Sequence, residues 1–72
     1  MYTGYFIKNN HIFGPEDNGL FFIQHGFIFG PRNSGRYFIK DNFIYGPVDG
    51  GKFFIQNGYI YGPQKVLPWM NK

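Results

Sequence analysis

An all-β chain of four antiparallel hairpins, set about a pseudo-fourfold axis, closed and without significant helix, is what these 72 residues predict. Three observations carry the prediction. The chain repeats with a period of 16 residues, in units 5–20, 21–36, 37–52 and 53–68, and all eight Ile fall on that period. Phe, Tyr and Ile dominate while Ala is absent, a composition that favours strands over helices. The fifth and sixth positions of the units read NN, HG, DN and NG, which suit a two-residue type I′ turn with positive φ at both residues.

Unit one, YFIKNNHIFGPEDNGL, sets the pattern. A turn at Asn9–Asn10 pairs the fourth position with the seventh, the third with the eighth, the second with the ninth and the first with the tenth. Cross-strand partners share a face, and successive pairs alternate faces. One face therefore carries Ile7 and Ile12, with Tyr5 lying over the bare Gly14. The other carries Phe6 and Phe13, then Lys8 and His11. The Gly-Pro pair ends the second strand, because Pro cannot donate to a ladder. The polar EDNG then turns into the next unit.

Unit two, FFIQHGFIFGPRNSGR, repeats this with Gln24 in place of Lys8, and its His25 is the poorest fit to a turn position. Unit three, YFIKDNFIYGPVDGGK, returns to Lys40 and brings Tyr45. Unit four, FFIQNGYIYGPQKVLP, carries Gln56, Tyr59 and Tyr61. Units one and three match at 10 of 16 positions and units two and four at 8, so a doubled pair underlies the fourfold repeat. Unit four lacks the turn Gly. Val66, Leu67 and Trp69 are expected to cover the hub or to pair with the N-terminal MYTG and close the ring, which would protect free edges. The Ile face, the same in every unit, is expected at the hub. The aromatic face is expected in contacts between neighbouring hairpins or at the rim, with its rings mostly in the core because so small a domain needs them there. Connections this short leave no room for a helix crossover, so all pairing is antiparallel.

This four-copy hairpin of aromatic, Ile, turn, Ile, aromatic and Gly resembles the small proteins called fourfold β-flowers, over residues 5–63. The resemblance implies four hairpins radiating about a central axis and brings no general activity or functional residue. The aromatic hairpins ending in Gly-Pro are more weakly similar to GYF-like modules. The helix that follows in that family is missing here, so proline-peptide binding is not carried over.

The composition narrows the function classes. Residues 1–72 make one small domain. The absence of Cys removes disulfides and Cys-based zinc sites, and no metal or other cofactor is expected from two His and four acidic residues. MYTGYFIKNN has no basic segment followed by a long apolar run, and no apolar stretch approaches a membrane helix, so a soluble cytoplasmic protein without membrane contact is expected. The net charge of +3 comes from seven scattered Lys and Arg. Thr3 and Ser34 are the only aliphatic hydroxyls, and Glu16, Asp17, Asp41 and Asp49 sit in turns, where Asp stabilises the backbone locally. No enzyme is expected.

What is left is the aromatic face. Exposed Tyr and Phe beside Lys or Gln could stack on a glycan, a peptide or a nucleic acid. The candidate contacts are Lys8, Gln24, Lys40, Gln56, Tyr45, Tyr59 and Tyr61, with Trp69 as a fifth contact point or only a plug. The doubled pair makes Lys8 equivalent to Lys40 and Gln24 to Gln56, which predicts two matched sites. The expected function is a non-enzymatic binding or assembly scaffold of unidentified ligand, with a homo-oligomer as a possible assembly. The alternatives are single-stranded nucleic-acid or carbohydrate binding through aromatic and Lys faces, and an engineered symmetric protein without natural ligand. Differences between units, such as VDGG against RNSG, argue mildly against the last.

Overall fold

A computed structural model describes residues 1–70, so the last two residues of the tail QKVLPWMNK, Asn71 and Lys72, lie outside the described residues. Eight antiparallel strands follow one another round a closed barrel: β1 (Tyr2–Lys8), β2 (His11–Phe13), β3 (Phe21–Gln24), β4 (Phe27–Phe29), β5 (Tyr37–Lys40), β6 (Phe43–Tyr45), β7 (Phe53–Gln56) and β8 (Tyr59–Tyr61). A short 3-10 turn, Pro68–Met70, follows.

The hairpin registers agree with those read from the turns. Ile7 faces Ile12, Ile23 faces Ile28, Ile39 faces Ile44 and Ile55 faces Ile60. The turn chemistry explains why. Asn9 and Asn10 take φ of 52° and 65°, His25 and Gly26 take 53° and 80°, and both remaining turns follow suit. Asn, Asp and Gly tolerate that region best, and His25 occupies it without that advantage. Each turn then reaches the next hairpin. The carbonyls of Asn10, Gly26 and Asn42 accept from the amides of Ile23, Ile39 and Ile55, and Gly58 accepts from Ile7, each at 2.7 Å. The fourth of these bonds runs from the end of the chain back to its beginning and closes the circle.

The interior is filled by two residues from each hairpin. Tyr5, Phe21, Tyr37 and Phe53 are buried together with Ile12, Ile28, Ile44 and Ile60, while Ile7, Ile23, Ile39 and Ile55 are half-buried and pack on them at the turn end. The expected Ile hub is therefore observed, together with the aromatics expected on the same face. Those rings fit because a Gly stands opposite: a β-carbon on Gly30 would lie 2.3 Å from the Phe21 ring, and one on Gly62 2.1 Å from Phe53.

The connections between hairpins at the other end also repeat. Asp17, Asn33 and Asp49 take positive φ, as do Gly19, Gly35 and Gly51 two residues on. The three glycine amides donate to Ile12, Ile28 and Ile44 carbonyls, each at 2.8 Å. In unit four the same positions are Lys65 and Leu67, which are poor hosts for that backbone. The N-terminus supplies the missing connection instead. Thr3, at the place of the loop glycine, donates its hydroxyl to Ile60 O at 2.7 Å, and Gly62 N donates to Met1 O at 2.9 Å.

Of the two places expected for the tail, over the hub or paired with MYTG, Leu67 and Trp69 take the first. MYTG pairs with β8, Tyr2 opposite Tyr61, and not with the tail. The tail turns inward and plugs the end of the barrel with Leu67, Pro68, Trp69 and Met70. Val66 stays exposed. Unit two holds the plug in place. Arg32 Nε donates to Met70 O at 3.1 Å and Asn33 Nδ2 to Trp69 O at 3.0 Å. The same guanidinium pairs with Asp17 and lies 5.5 Å from the centre of the Phe21 ring.

Candidate functional site

With the inner face taken by Ile and the first-position rings, the two-residue strand period sends every second aromatic outward. This overturns the expectation that the second aromatic face is mostly core. An interior closed by eight short strands is filled by side chains from one face only. The outward rings form a belt. On each hairpin the second and ninth positions stack: Phe6 on Phe13, Phe22 on Phe29, Phe38 on Tyr45 and Phe54 on Tyr61, with ring centres 5.3 to 5.7 Å apart. The seventh position leans across to the next hairpin. Phe27 meets Phe38 and Phe43 meets Phe54 at 5.9 Å, His11 meets Phe22 at 5.8 Å, and Tyr59 meets Phe6 at 6.4 Å across the seam. The belt thus runs round the whole barrel. Stacking of this kind contributes about 0.5–1.5 kcal/mol per pair beyond simple burial, so the rings stabilise the outside while remaining accessible. Phe6, Phe27, Phe38, Phe43 and Tyr59 are 36% to 47% exposed.

The structure brings the predicted contacts onto this belt in two sets. Lys8 and Lys40 are exposed beside the stacked pairs of hairpins one and three. Phe6, Lys8, Asn9, His11 and Phe13 line an open groove of about 480 Å³, and Phe38, Lys40, Asp41 and Tyr45 line one of about 410 Å³ at the equivalent place. The two units that match most closely in sequence thus carry matching grooves. Gln24 and Gln56 are exposed on the hairpins between, each opposite a ring, Phe27 and Tyr59. Tyr45 and Tyr61 are half-buried in their stacks. Trp69 lies away from all of these, fully buried in the plug with its ring centre 5.9 Å from that of Tyr37.

Sequence reasoning missed Tyr2. It lies 5.6 Å from both Tyr59 and Tyr61 and extends the belt over the seam. The signal was its place in MYTG, which aligns with the loop positions missing from unit four.

Electrostatics separate the two grooves. Groove one holds Lys8 with Asn9 and His11, and His11 Nδ1 lies 3.3 Å from Gly19 O. Groove three holds Lys40 beside the carboxylate of Asp41. Inside the barrel, burial pushes the phenols of Tyr5 and Tyr37 above their ordinary pKa, and for Tyr5 the nearby Glu16 carboxylate pushes the same way. Among the described residues no three His, Asp or Glu side chains gather to hold a metal, and no helix is long and apolar enough to cross a membrane. Comparison with protein-family models, with curated proteins and with solved structures finds no match for this chain.

Proposed function

We propose that this protein is a non-enzymatic binding module whose ligand sits on the outer aromatic belt, presented four times about a pseudo-fourfold axis as in the β-flower proteins the sequence resembles. The observation that carries the reading is the belt itself. Partly exposed rings run without a break around the barrel, and a long polar side chain, Lys8, Gln24, Lys40 or Gln56, occupies the same place on every hairpin. Contiguous exposed apolar surface of this kind marks interaction sites in soluble proteins. The four equal turn-to-Ile hydrogen bonds support the fourfold arrangement. The interior is filled with side chains and plugged at one end, so ligand recognition falls to the outside. The non-enzymatic reading is supported by the carboxylates of Asp17 and Asp49, which lie against the cations of Arg32 and Lys52 in the connecting loops.

The test is titration of the purified chain with glycans, peptides and oligonucleotides, followed through backbone amide resonances and sedimentation. Shifts confined to the outer positions of the hairpins support the reading. A mass that rises with concentration, together with shifts at the outer positions, identifies a second copy as the occupant of the belt. Failure of every class to move the outer resonances, in a chain that stays monomeric, overturns it.

A further inference from the structure

The geometry points to neutral, hydroxyl-rich sugar chains as the ligand class, held in two opposed grooves on hairpins one and three. This inference rests on the belt being a binding surface. The charge pattern separates the ligand classes. A single-stranded nucleic acid is held by a positively charged groove that tracks its backbone. Two of the four equivalent rim positions are Gln, and the Lys40 groove is lined by Asp41, whose carboxylate repels phosphate. A sugar ring needs only hydrogen-bond donors and acceptors at the rim and an aromatic surface for its C–H groups, which the negative face of a ring attracts. Lys8 and Asn9 supply donors and an acceptor in groove one, and Lys40 and Asp41 do so in groove three. A hydroxyl group donates to Asp41 where a phosphate cannot.

Peptide addition to a sheet edge is removed by the closed barrel, in which β1 pairs with β8. The groove volumes of about 480 and 410 Å³ fall within the roughly 300–1,000 Å³ of small-ligand sites. Hairpins two and four separate the grooves on either side, so a short oligosaccharide engages one groove and a polysaccharide is cross-linked through both, with the gain of avidity.

The test uses the full chain, isotopically labelled, titrated in parallel with cellohexaose, chitohexaose and maltohexaose, with a thymidine oligonucleotide and with a proline-rich peptide. At least one of the sugars is expected to move the amides of residues 6–13 and 38–45 together, with affinity unchanged between about 50 and about 200 mM salt, where a phosphate ligand weakens steeply. Phe6→Leu and Phe38→Leu keep an apolar side chain but remove the ring, and each is expected to weaken its own groove by about fivefold or more while leaving the other intact. Lys8→Ala and Lys40→Ala, which leave the packing untouched, serve the same purpose if a ring variant fails to fold. Outer resonances that move with the oligonucleotide or the peptide and with none of the sugars overturn the sugar class and leave the binding surface standing. Outer resonances that move with nothing overturn both.

Discussion

Replacing Gly30 by Ala isolates the contact on which the inner aromatic ring depends. Gly30 follows β4 and lies under the Phe21 ring. The added β-carbon would stand 2.3 Å from Cδ2, 2.7 Å from Cε2 and 2.8 Å from Cγ of that ring. Carbon atoms pack at about 3.5 Å or more, so the ring must retreat by about 1.2 Å. It has nowhere to go. Phe21 is fully buried among the barrel interior, with the Arg32 guanidinium 5.5 Å from its centre. Gly30 does not take positive φ, so backbone strain does not enter and the cost is overpacking alone. Such insertions cost about 1–3 kcal/mol, and the depth of this overlap places Gly30→Ala near 3.

The assay is urea unfolding followed by the fluorescence of Trp69, which is buried in the plug and reports its opening. Gly26→Ala is the comparison. There φ is +80° and the β-carbon would meet only the Ile39 carbonyl oxygen, at 3.6 Å, so the cost is conformational, about 1–2 kcal/mol. Shrinking the ring in the double variant Gly30→Ala, Phe21→Leu is expected to cost less than the sum of the single changes by about 1 kcal/mol or more. A Gly30→Ala chain within about 0.5 kcal/mol of the parent would refute the reasoning, since that is the scale of an ordinary surface change. So would additivity in the double variant.

Four further outcomes are expected. Gly50→Asn should stabilise by about 0.5–1.5 kcal/mol in the same assay, because Asn18 at the equivalent place accepts from Gly14 N at 2.9 Å and Gly50 has no side chain to do this for Gly46. Thr3→Val should cost about 1–3 kcal/mol by urea unfolding, because the buried hydroxyl donates to Ile60 O at 2.7 Å and accepts from Tyr5 N at 3.2 Å. Trp69→Ala should cost about 3–5 kcal/mol by circular dichroism, while Trp69→Phe should cost far less, since the buried indole N–H has no hydrogen-bond partner to lose among the described residues. Thermal melts from neutral to alkaline pH should show stability falling as Tyr5 and Tyr37 ionise. Burial raises both phenols above 10.0, so their contribution is full below that pH and is lost as pH rises through the folded values. A Tyr5→Phe, Tyr37→Phe chain, which copies units two and four, should lose this dependence.

The hairpins were legible because their information is local. Asn57–Gly58 admits one tight turn, and that turn fixes Ile55 opposite Ile60 without reference to the rest of the chain. The glycine under each inner ring was legible for the same reason, as a cross-strand neighbour at a known register. The burial of the other aromatics was not. Tyr5 shares its face with the Ile that are the same in every unit, which places it at the hub, but nothing within one hairpin says whether Phe6 on the other face is covered by a neighbour or left outside. The choice depends on how much volume eight closed strands enclose. Of the candidate contacts, Lys8, Gln24, Lys40, Gln56 and Tyr59 lie exposed on the belt, Tyr45 and Tyr61 lie half-buried within it, and Trp69 lies inside the plug. Trp69 sits beyond the last repeat, where periodicity has nothing to say.

The sequence by itself determined the period, the turns, the register and the antiparallel order, because each follows from the φ preference of a few residues and the two-residue alternation of a strand. Only the tertiary structure decided that the second aromatic face lies outside as a belt, and that the N-terminal strand pairs with β8 to close the ring while the tail seals its end. Closure joins Ile7 to Gly58 and Thr3 to Ile60, residues at opposite ends of the chain. Whether such distant groups meet is settled by the barrel's circumference, a property of all four hairpins together.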